Sequence, residues 1–73
     1  MVKFAVIEID TRLMRLLSTQ DELKTSRPDK ISESKDLVTR ALMTAVKAHK
    51  CNGCTTGQMQ EVERLTERIK CLL

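Results

Sequence analysis

The chain has 73 residues, 13 basic and 10 acidic for a formal net charge of +3, with three cysteines and Phe4 as its one aromatic residue. That length admits one domain over residues 1–73, and a single core of this size rarely supplies more than ~3–5 kcal/mol, so dimerisation would help it. The lack of aromatics argues against a reader of stacked single-stranded bases, and no run approaches the ~20 apolar residues of a membrane span, so no membrane partner is expected.

Glu8 and Asp10 interrupt the first apolar stretch, which is therefore not read as a signal peptide, and the cytoplasm is the expected location. An odd number of cysteines makes no disulfide framework in a reducing compartment. Cys71-Leu72-Leu73 is one residue short of a prenylation box.

Residues 2–9, VKFAVIEI, have the β-branched composition of a strand, but the longer period is helical. Val6, Ile9, Leu13, Leu16, Leu17 and Leu23 share one side of a helical wheel, with Glu8, Arg12, Arg15 and Glu22 opposite. The spacing predicts a helix over about 4–24, with a strand at 3–9 in a dimer as the alternative. Pro28 and the Ser/Asp cluster of 25–34 form a connector, in which Ser32 or Ser34 can cap a second helix over about 32–50.

Leu37, Val38, Ala41, Leu42, Ala45 and Val46 give that helix a continuous apolar face, with alanines that let a neighbour come close. Asn52-Gly53 tolerates the backbone of a helix C-terminus. Thr55 and Gln58 then have capping-box spacing, and Met59, Val62, Leu65, Ile69 and Leu72 form the stripe of a third helix over about 55–72. The expected fold is all-α: a small three-helix bundle, or a helical hairpin with an additional N-terminal helix.

His49, Cys51 and Cys54 are candidate metal ligands, because His-x-Cys-x-x-Cys puts three zinc-binding side chains in one short loop. No fourth ligand lies nearby, and Cys71 is about 25 Å further along an intact third helix at ~1.5 Å per residue. The expectation is therefore no cofactor, with zinc as the one candidate. Redox chemistry at Cys51-x-x-Cys54 lacks the βαβ context such motifs use, and His49 alone reads as a side chain favoured by a helix C-terminus. Glu61, Glu63 and Glu67 read as solvated surface beside Arg64 and Lys70. No nucleophile elbow, Walker loop or dinucleotide fingerprint is present, so no enzyme is expected.

Two binding readings follow. A helix-turn-helix role would use Gln58, Gln60 and Arg64 to read bases, and the strand version of the N-terminus resembles the ribbon-helix-helix layout in element order only, with no specific motif matched. Against this small basic DNA-binding regulator stand Glu61 and Glu63 and the modest net charge. The preferred expectation is a non-enzymatic helical regulator, adaptor or inhibitor that binds a protein partner through an apolar face, as a homodimer. Ile7, Met14, Met43 and Met59 are the candidate partner-binding residues, since flexible methionine suits adaptable surfaces.

Overall fold

The structure, a computed structural model, describes residues 3–73. It contains three α-helices, α1 (Val6–Ser26), α2 (Ile31–Lys50) and α3 (Thr56–Lys70). At ~1.5 Å per residue α1 is about 31 Å long, and within an envelope of 41 × 15 × 15 Å the helices can only lie along a common axis. Successive helices therefore run antiparallel in a three-helix bundle. No helix of the described residues is long and apolar enough to cross a membrane.

The helix boundaries follow from local chemistry. Pro28 disfavours the α conformation in the residue before it, and Arg27 duly leaves it, with φ −139° and ψ 68°. A 3-10 turn over Pro28–Lys30 then runs straight into α2. Neither Ser32 nor Ser34 caps that helix, because the backbone is already helical before the chain reaches them. Ser34 is instead fully buried, its hydroxyl donating to the Ile31 carbonyl at 2.7 Å and accepting from Gln20 Nε2 at 3.2 Å.

The α2–α3 connection uses two devices. Asn52 adopts the left-handed conformation, φ 55°, while its N–H donates to the His49 carbonyl at 3.1 Å and that of Gly53 to the Ala48 carbonyl at 3.0 Å. These are the paired bonds of a Schellman ending, with Asn52 in the place that glycine usually holds. At the start of α3 the Gln58 N–H donates to Thr55 Oγ1 at 3.1 Å and the Thr55 N–H to Gln58 Oε1 at 2.9 Å, completing the expected capping box.

The N-terminal segment departs from the expected helix start at residue 4. Phe4 is extended and forms an isolated antiparallel bridge to Cys54, with N–H to carbonyl distances of 2.7 and 2.9 Å. No strand forms among the described residues; this single bridge is all that is seen of the strand-forming composition of 3–9. A Cβ added to Gly53 would lie 3.1 Å from Lys3 Cβ and 3.2 Å from the Phe4 carbonyl oxygen, so glycine is what lets the segment approach.

Ile9, Leu16 and Leu23 of α1 interlock with Leu37, Val38, Ala41, Ala45 and Ala48 of α2 and with Met59, Val62, Leu65 and Ile69 of α3. The alanines carry the close approach of α2 to its neighbours. Among the described residues no buried polar side-chain atom lacks a partner, as a well-formed core requires.

Candidate functional site

The three candidate metal ligands do not converge. Cys54 is fully buried, and its Sγ donates to the Ala5 carbonyl at 3.4 Å. Cys51 is exposed, while His49 points across to α1 and holds Asp10 Oδ1 at 2.7 Å through Nε2. Among the described residues no three His, Cys, Asp or Glu side chains gather as a metal set would.

Ile7, Met14 and Met43 are 66, 70 and 57% exposed. Met59 is a correction: it is buried in the core, because the capped first turn of α3 directs it between α1 and α2, where it cannot meet a partner.

Three residues that the helical wheels put in the core complete a different surface. Leu42 and Val46 are 43 and 52% exposed and Leu17 is at the margin of the core. Leu42 and Val46, with Leu13 and Ala45, line an open groove of about 470 Å³ between α1 and α2, bounded by Asp10, His49 and Lys50. The signal for this was present in the width of the α2 stripe. Six apolar positions from Leu37 to Val46 cover about half the helix circumference at ~100° per residue, more than its two neighbours can cover.

The opposite side of α1 is polar. Arg12 Nε donates to Glu63 Oε1 at 2.8 Å, and Nη1 to Glu8 Oε2 at 3.1 Å. These bonds, Glu63 first and Glu8 second, raise the guanidinium pKa above its ordinary value. The cleft they enter, about 540 Å³ between α1 and α3, is lined by Arg12, Arg15, Arg64 and Lys70 and by the carboxylates of Glu63 and Glu67. Arg64 pairs with Glu61 at 3.4 Å and Lys70 with Glu67 at 3.5 Å. Of the candidate base readers, Gln58 is engaged in the α3 cap, and Gln60 and Arg64 stand among these carboxylates.

Apolar surface thus gathers on one side of α1 and α2, opposite a cleft in which four basic side chains stand with two carboxylates. Comparison with protein-family models, with curated proteins and with solved structures finds no match for this chain.

Proposed function

We propose that this protein is a non-catalytic helical interaction module that binds a protein partner through the apolar groove between α1 and α2, acting in the cytoplasm as a regulator, adaptor or inhibitor. The observation that carries this reading is the placement of Leu42 and Val46. Both are large and aliphatic, both are about half exposed, and both sit beside Leu13 in one continuous groove. Burying such side chains is worth roughly 1.5–3 kcal/mol each when complete, and the isolated bundle forgoes about half of that. Ile7, Met14 and Met43 add exposed apolar side chains on the same two helices.

Binding to DNA is the second reading, and the observations favour it less. Of the four cations that line the α1–α3 cleft, Arg12, Arg64 and Lys70 are each held by a carboxylate, whereas phosphate contacts need cations free to displace counterions. The α2–α3 hairpin also runs antiparallel along the bundle and lacks the steep crossing of a helix-turn-helix.

The test is affinity capture with the tagged wild type and with Val46→Glu, each from nuclease-treated and untreated extract. Proteins held by wild type in both extracts and lost by Val46→Glu are the expected result. Capture that survives Val46→Glu and vanishes with nuclease would replace this reading with the DNA-binding one.

A further inference from the structure

The charges around the groove select its occupant. Two contacts fix the register of α1 against α2: Asp10 with His49 at 2.7 Å, and Gln20 with Ser34 at 3.2 Å. Asp10 therefore stands within about a turn of the level of Lys50, and Asp21 of that of Lys35, each pair lying within one residue of an observed contact. Asp21 continues the line of Met14 and Leu17 at spacings of seven and four, and Lys35 precedes Leu42 by seven, so both belong to the groove side of their helices. Met14 and Met43 occupy the level between.

The two rims are thus sorted by sign. On α1 Asp10 borders the groove and Asp21 lies on the same side by its spacing, while Arg12 and Arg15 line the α3 side. On α2 Lys50 borders the groove and Lys35 lies on the same side by its spacing, while Glu33 and Asp36, with Arg40, line the α3 side. The one basic residue on the groove side of α1, Lys24, lies beyond the apolar patch near the helix end. Among the described residues Asp21, Lys35 and Lys50 are in no ion pair.

Resting on the reading of the groove as a protein-binding face, we propose that its occupant is a second copy of this chain. The two copies are related by a two-fold axis parallel to the helices, so that α1 of each subunit packs against α2 of the other. This operator leaves every residue at its own level along the bundle. Asp10 then faces the partner's Lys50, Asp21 faces the partner's Lys35, and Met14 meets the partner's Met43, on both sides of the axis. Leu13, Leu17, Leu42 and Val46 are enclosed between these pairs.

The other closed arrangement, with the axis perpendicular to the helices, stacks α1 on α1 and α2 on α2 in opposite directions. About the centre of the apolar patch it brings Asp10 within a turn of the partner's Asp21, and Lys50 within a turn of the partner's Lys35. Like charges would oppose it at both ends.

Sedimentation equilibrium over a range of concentrations tests the proposal, on wild type, Val46→Glu, Asp21→Lys and the double variant Asp21→Lys/Lys35→Asp, with circular dichroism to establish that each is folded. A wild-type dimer is expected, with Val46→Glu monomeric. Asp21→Lys should weaken association roughly tenfold through its two symmetric contacts, and the double variant should regain it. A dimer indifferent to Val46→Glu, or an Asp21→Lys defect that Lys35→Asp fails to repair, overturns the proposal. A wild type monomeric at every concentration also overturns it. In that case a protein captured by wild type and lost by Val46→Glu leaves the groove as a site for a different partner, and unchanged capture removes both readings.

Discussion

Leu16 and Leu17 are adjacent leucines on the apolar side of one helix, yet Leu16 is fully buried and Leu17 is 36% exposed at the edge of the α1–α2 groove. Truncating Leu16 to alanine removes three carbon groups from a closed site and leaves a cavity, a change that costs about 3 kcal/mol in well-packed cores. The same truncation at Leu17 opens onto solvent and seals no cavity. With ~0.8 kcal/mol per fully buried carbon group, and a third of the residue exposed beforehand, its cost is about 1–1.5 kcal/mol.

For a domain of this length 1 kcal/mol shifts the melting midpoint by roughly 4–8 °C. Thermal unfolding followed by far-ultraviolet circular dichroism should therefore separate the two variants by about 6–16 °C. Leu16→Ala should stand close to the limit of what a domain with ~3–5 kcal/mol of stability tolerates. Equal costs for the two, independent of protein concentration, would mean that α1 is rotated about its axis and would refute the assignment of its faces. A Leu17→Ala cost that declines on dilution is the signature of a second chain covering the groove.

The loop between α2 and α3 offers two further tests by chemical denaturation. Thr55→Ala removes the hydroxyl that accepts the Gln58 N–H and should cost about 1 kcal/mol, while Thr55→Ser should restore most of it. Asn52→Gly should be close to neutral at φ 55°, whereas Asn52→Val should cost about 1–2 kcal/mol, because a β-branched side chain crowds the left-handed backbone.

The parts of the fold legible in the sequence are those decided within a few residues. Thr55 and Gln58 signal the start of α3 by spacing, and Asn52 the end of α2 by its tolerance of positive φ. The stripe from Met59 to Ile69 marks the core face of α3 directly. What escaped the sequence depended on contacts between distant segments. A helical wheel ranks Leu42 and Ala45 alike, but which flank of α2 a neighbour covers is decided by the direction from which α1 and α3 approach. The His49–Asp10 contact spans 39 residues, and nothing in the local pattern links the two. Serines at 32 and 34 promised a cap in isolation; the 3-10 turn after Pro28 made it unnecessary and left Ser34 to meet Gln20. His49, Cys51 and Cys54 are close in sequence, yet the turn that brings α3 back sends their side chains to three different environments.

The bridge between Phe4 and Cys54 also imposes an order of events. Its two bonds join positions 50 residues apart, so the segment before α1 has no docking place until both α1 and α2 have been made and the turn around Asn52 has closed. Closing so long a loop costs conformational entropy that only late, native contacts return. The segment just before α1 is thus among the last parts of the bundle to settle. Variants that weaken the bridge, at Gly53 above all, should act mainly by speeding unfolding and should leave the rate of folding nearly unchanged.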